Sequence, residues 1–345
     1  DEAIKLAYNF QFSTAKTALD DYQLRNPEDL QGDMGRIVYN FLMVKQNPLK
    51  QNFDRMYDHL KNTKKKVTND LKNGENDLLH FYQCFIHYYY MKSYALEDRW
   101  FKTLKHAMKA RKLTVELMDR IDDFPDLYFI IGDQNYTTSL VPEYLKPLLK
   151  VLKFTPDRYG GYEFIRLAIE KAEFTRYEAA LMYIASSLYV ERDYVNSYKT
   201  SELFIQQFPG NLSVRFFIID LQLHKGNIEE AEQLMDGTRD DFDTGRLKGK
   251  WIPRYIQMTG NISNFKGDYR KAIDLYKQAM EFSDISGYTA TETSLEIGKL
   301  YDIIGDRKEA VKAYKEYAKG NGLELQKEEA RVLLRNPYTE SRGSY

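Results

Sequence analysis

A chain of 345 residues with 43% hydrophobic and 14% aromatic content has ample material for buried cores. Its 50 Lys and Arg against 51 Asp and Glu leave a formal charge of −1, which argues against a dedicated nucleic-acid binder, whose affinity rests on neutralising phosphates. No apolar run reaches the roughly 18–20 residues that span a bilayer, and the single cysteine, Cys84, excludes an internal disulfide framework.

Residues 1–49 read as a first helix pair. Ile4, Ala7, Tyr8, Phe12, Ala15, Ala18 and Leu19 recur at helical spacing, Asn26-Pro27-Glu28-Asp29 forms a break, and a second periodic segment runs from Gly35 to Lys45 before Asn47-Pro48. Residues 50–72 carry Phe53, Met56, Tyr57 and Leu60, then the basic run Lys61 to Lys66; with Asp70 and Asp77 close behind, the run reads as a solvated helix end. The most aromatic segment, Asn76 to Asp98, holds Phe81, Tyr82, Phe85, Tyr88, Tyr89, Tyr90 and Tyr94. Within it His80, Cys84 and His87 face one way from one helix, but three ligands on a helix cannot close a tetrahedral site and no second Cys exists, so no metal is expected. Residues 99–119 supply a partner helix with Trp100, Leu104, Ala107, Ala110, Leu113 and Leu117 as its stripe.

From Asp126 to Gly161 the pattern changes. Pro142, Pro147 and Pro156 predict short helices, and Gly160-Gly161 a tight entry into the next one. Asp133, Tyr136 and Asp157-Arg158 could serve as acid, base and clamp, yet no nucleophile, metal box or phosphate loop accompanies them. Helices are expected near 162–173, 175–191, 194–208, 212–224 and 228–236, followed by a polar loop over 237–250. From Trp251 to Gly320 one unit is stated twice, 38 residues apart: Gly260 falls on Gly298, Gly267-Asp268 on Gly305-Asp306, Ala272 on Ala310 and Tyr276 on Tyr314. A mid-helix Gly costs roughly 1 kcal/mol against Ala, so close approach of a neighbouring helix backbone is expected there. The Gly-Asp pairs read as a left-handed C-terminal cap and an N-cap. An amphipathic helix, Leu323 to Leu334, would cover the last repeat, with a loose tail from Asn336.

Gly260, Ala272, Tyr276 and Ala279, with Gly298, Tyr301, Ala310 and Tyr314, resemble the tetratricopeptide repeat (TPR), a helix–turn–helix of small residues and an aromatic at fixed offsets. Ala185, Leu188, Ser197, Phe204 and Pro209 form a degenerate copy. The order Tyr128-Phe129, Gly132, Asn135-Tyr136, Ser139, Pro142, Asp157-Arg158 and Gly161 is similar to a segment of the family-39 TPR group and its bacterial relatives, many of which look exported. The resemblance implies an all-α, right-handed α-solenoid of antiparallel helix pairs. Its parts are degenerate TPR-like pairs over 1–125, a Pro-interrupted segment continuous with the solenoid over 126–174, TPR-like repeats over 175–320, and a capping helix and tail over 321–345. Because the chain starts at Asp1 with neither Met nor signal peptide, a trimmed chain and a mature exported, periplasmic one are both expected readings.

In this repeat family ligands lie along a concave face lined by the first helix of each pair. Carried onto this sequence, that face takes Tyr189, Phe216, Arg254, Gln257, Asn261, Asn264 and Lys299 as the partner-binding groove. Amides would pair a peptide backbone while aromatics supply buried area; the strip also reads as the wetted face of a helix. The expected function is a non-enzymatic scaffold or adaptor for proteins or extended peptides, without cofactor. The alternative is a module for a small ligand, lipid or glycan in an aromatic-lined pocket near 81–94 and 128–161. Replacing Arg254 and Asn261 together is expected to leave stability intact.

Overall fold

The computed structural model describes the chain except residues 75, 142, 143, 145, 245, 246, 248, 283–286, 321–323 and 340–345, so Pro142, Leu323 and the last residues of the tail lie outside the description. Among the described residues the fold is all-α, and the helices follow one another as antiparallel pairs, the solenoid arrangement that the sequence predicts. Two units form, Asp1–Asn211 and Leu212–Tyr345.

The first unit comprises α1 (Glu2–Tyr8), α2 (Phe12–Arg25), α3 (Leu30–Gln46), α4 (Lys50–Asn73), α5 (Asp77–Leu96), α6 (Trp100–Glu116), α7 (Asp126–Ser139), α8 (Lys146–Val151), α9 (Arg158–Lys171), α10 (Arg176–Ser186) and α11 (Tyr194–Gln207). The pairs are α1/α2, α3/α4, α5/α6, α7/α9 and α10/α11, and first helices also touch one another, as in α1 with α3 and α3 with α5. Side-chain caps open several of them: Asp29 accepts from the Gln31 amide, Asn76 from Leu78 and Asp157 from Gly160.

The predicted first helix is in fact two. Phe10 takes a left-handed φ of 61° and stacks on Phe12, which turns the chain between α1 and α2. That bend sends Tyr8 into a ring cluster with Tyr177, Phe204 and Phe208. Beside it the Asn9 side chain accepts from the Gly210 amide, and Asn211 donates to the Tyr8 carbonyl. This contact ties the end of the unit to its beginning and explains why residues 175–211 pack with the first unit.

Gly161 is not a loop residue but lies inside α9. A Cβ on it would stand 2.6 Å from the Tyr136 amide nitrogen, and one on Gly132 would stand 2.9 Å from the Ile165 nitrogen, so α7 and α9 cross backbone to backbone. Gly160, by contrast, serves the cap, its amide donating to Asp157. The basic run is likewise not a helix end: Lys61 to Lys66 lie within α4, and Lys66 pairs with Asp33 at 2.9 Å.

The second unit comprises α12 (Leu212–His224), α13 (Ile228–Asp243), α14 (Trp251–Phe265), α15 (Tyr269–Met280), α16 (Gly287–Ile303), α17 (Arg307–Lys319) and α18 (Glu324–Arg335). Helix α13 continues seven residues beyond the expected end because Thr238, one turn past Met235, is fully buried on the same face. Gly267 and Gly305 adopt φ of 82° and 84°, the left-handed caps expected; Asp306 then caps α17 by accepting from Glu309, whereas Asp268 makes no such bond to α15.

The two mid-helix glycines face an aromatic ring rather than another helix backbone. A Cβ on Gly260 would come within 2.6 Å of the Tyr276 ring, and one on Gly298 within 2.4 Å of the Tyr314 ring. Each repeat therefore seats its own second-helix tyrosine on its first-helix glycine. Ala330 and Leu333 of α18 pack on Leu295, Tyr314 and Tyr317, and the Arg307 guanidinium caps the end of α18 by donating to the carbonyls of Leu333 and Leu334. The tail is anchored up to Tyr338, whose amide donates to Asp302 at 2.7 Å.

Candidate binding surface on the first helices

In the second unit the first helices α12, α14 and α16 lie side by side, and Asp220 of α12 organises the polar strip on α14. Its carboxylate, 4% exposed, accepts from Arg254 at 2.9 Å and from the Asn261 amide at 2.9 Å. Arg254 also donates to Gln257 at 3.0 Å, and Asn261 in turn accepts from the Tyr276 hydroxyl at 2.8 Å. Three of the predicted groove residues, Arg254, Gln257 and Asn261, are thus joined in one network with Asp220, which is not among the predicted groove residues. Asn264 is half-buried on the next turn of the strip.

Phe216 is placed differently from a solvent-facing anchor. It is buried, stacks on Trp251 with ring centroids 5.9 Å apart, and lies under the Arg254 guanidinium. Lys299 of α16 stands between Glu296 at 2.9 Å and Glu329 at 2.8 Å. Burial alone would lower its ammonium's pKa, but the two carboxylates outweigh that and hold it above the ordinary lysine range. Tyr189 belongs to the first unit, half-buried in the π-helical turn Ser187–Glu191 that follows α10.

These contacts overturn the expectation that the strip can be removed without cost. Arg254→Ala with Asn261→Ala leaves Asp220 buried without its guanidinium and amide donors and strips the Tyr276 hydroxyl of an acceptor. The double variant is expected to lose on the order of 2–4 kcal/mol, read as a lowered urea midpoint; an unchanged midpoint would contradict the network.

The first unit carries a second polar constellation, absent from the sequence-based site. Lys92 of α5 lies 3.0 Å from Asp133 of α7 and 3.5 Å from Glu178 of α10. The hydroxyls of Tyr88 and Tyr89 donate to Asp133 and Glu178 at 2.6 and 3.0 Å. Burial opposes the Lys92 charge, yet Asp133 and Glu178 together raise its pKa. Burial pushes both phenols far up, helped by Asp133 and Glu178 at Tyr88 and chiefly by Glu178 at Tyr89. These contacts join three first helices, α5, α7 and α10, to one another.

The Cys84 thiol donates to the Ala110 carbonyl at 3.6 Å, and burial raises its pKa. His87 meets His106 at 2.9 Å between their Nδ1 atoms; burial, then His106 and neighbouring lysines, bring its pKa down to about 3. The Tyr136 hydroxyl donates to Glu191, which also receives Arg158 at 2.9 Å, and Asp157 caps α9. The rings expected to line a pocket are packed on other rings: Phe81 on Phe124, Phe85 on Phe174, Tyr88 on Phe129 and Tyr89 on Phe41.

No family model and no curated protein matches the chain. Among solved structures, the chain is similar to a Rap protein complexed with competence and sporulation factor, at 15% identity over 97% of this chain and 78% of that one, with a TM-score of 0.38. No helix among the described residues is long and apolar enough to cross a membrane.

Proposed function

We propose that this chain is a non-enzymatic, TPR-type scaffold that holds an extended segment of another protein against the first helices of its repeats. The observation that supports this is the Asp220 network. By clamping Arg254 and Asn261 from beneath, Asp220 holds a guanidinium and an amide in place on one face of α14, with Gln257 and Asn264 on the same helix. Polar groups already fixed in position lose little freedom when a peptide backbone docks on them, and amides offer both a donor and an acceptor to it. Lys299 extends the strip onto α16 as a lysine kept charged. Phe216 and Trp251 serve as the stacked floor that stiffens the strip. In the same reading, 126–174 is a part of the array rather than an inserted enzyme, which the close α7–α9 crossing supports.

A photo-crosslinking amino acid placed at Asn264, on the strip, should capture a discrete polypeptide in the native cells, while the same group at Val332, exposed on α18, should not. Capture from neither position, or a crosslink to a small molecule alone, would overturn the scaffold reading.

A further inference from the structure

We propose that the exposed face of α6 is a docking surface for an anionic membrane. The helix carries Lys102, Lys105, Lys109 and Lys112 on its outer side against a single acid, Glu116 at its end, in a chain whose overall charge is close to zero, while Arg111 is buried. One stripe, with Ala107, Ala110 and Leu113, is buried against the unit. The opposite side is not simply polar. Phe101, Met108 and Val115, 94%, 43% and 57% exposed, recur every seven residues and so form one line along the helix. Trp100, 64% exposed, stands at its start.

The lysines flank that seam, and the fold adds another from a distant part of the chain. Lys64 of α4 sits close enough to Lys109 and Lys105 that, after burial, their charges hold its ammonium below the ordinary lysine range. Lys64, Lys105 and Lys109 make no ion pair with a described residue, whereas Lys112 reaches Glu116 at 3.7 Å. Cations gathered without counter-charge are relieved by an anionic surface.

A membrane accounts for the apolar half as well. A helix lying in the interfacial plane places Trp and Phe at the acyl boundary while lysine stems carry their charges out to the headgroups. An acidic protein would answer the lysines but leave no reason for a Phe side chain to stand almost wholly in water.

Co-sedimentation of the full chain with vesicles tests this. Phosphatidylcholine mixed with phosphatidylglycerol at about three to one should retain the protein about tenfold better than phosphatidylcholine alone, and raised salt should weaken retention. Trp100→Ser with Phe101→Ser, and separately Lys105→Glu with Lys109→Glu, should each reduce binding about tenfold or more. These side chains project outward, so unchanged circular dichroism and melting are expected and keep the comparison interpretable. Equal binding to neutral vesicles, variants that bind like the wild type, or no binding to either vesicle would overturn the proposal. Retention on poly-glutamate without vesicle binding would overturn it too, and would assign the face to an acidic protein.

Discussion

Gly161→Ala, the addition of one methyl group, is expected to destabilise residues 1–211 by on the order of 3 kcal/mol or more, among the largest effects of so small a change. Alanine normally stabilises a helix interior relative to glycine by up to about 1 kcal/mol. Here the new carbon would lie 2.6 Å from the Tyr136 nitrogen and 3.0 Å from the Gly132 carbonyl oxygen. Both obstacles are backbone, which cannot rotate aside, so α7 and α9 must separate along a closely packed crossing. The displacement also reaches Tyr136, whose hydroxyl is bonded to Glu191. Gly237→Ala is the matched control: Gly237 lies within α13 with nothing inside 4 Å of the added carbon, and the variant should gain a few tenths to about 1 kcal/mol. Urea denaturation of the two variants should move the midpoint in opposite directions; equal shifts would contradict the crossing.

Gly298→Leu should cost about 3 kcal/mol or more in the second unit. The leucine Cβ alone would overlap the Tyr314 ring, with a 2.4 Å approach, and that ring is fully buried among Leu295, Tyr317 and Ala330. Displacing it also breaks the 2.9 Å bond from its hydroxyl to Asp302. A tyrosine lost from its seat uncouples α16 from α17 and undermines α18, which packs on the same ring. A double variant, Gly298→Leu with Tyr314→Ala, should recover part of the loss, since the clash is with that ring. No recovery would mean that the glycine serves some other contact.

The repeat was legible in the sequence because the same small and aromatic residues recur 38 positions apart, and helix periodicity with Gly-Asp turns marked where helices stop. What spacing could not reveal was the occupant of each glycine seat: a small residue reports that something comes close, not whether it is a backbone or a ring. Helical extent differed for tertiary reasons at the turn at Phe10, beside the Tyr8 ring cluster, and in the added turns of α13 held by buried Thr238, and α9 begins before Gly161 because that glycine forms the crossing with α7. The polar networks were the least legible. Asp133 pairs with a tyrosine 45 residues away and Glu178 with one 89 residues away, so nothing local announces them. The signal available was an acid set beside apolar residues, Ile130-Ile131 before Asp133 and Ala179-Ala180 after Glu178, which is costly to bury unless a partner awaits it. Of the groove residues, Arg254 and Asn261 could be placed on one face by counting turns. That they share Asp220 required knowing how α12 lies against α14.

The yield ratio between crosslinkers at Asn264 and Val332 tests most directly whether the first helices are the partner-bearing surface. Mass spectrometry of the captured species should identify one protein joined through a continuous extended segment at position 264 and essentially nothing at position 332. The same protein captured equally at both positions, or at Val332 alone, would contradict it.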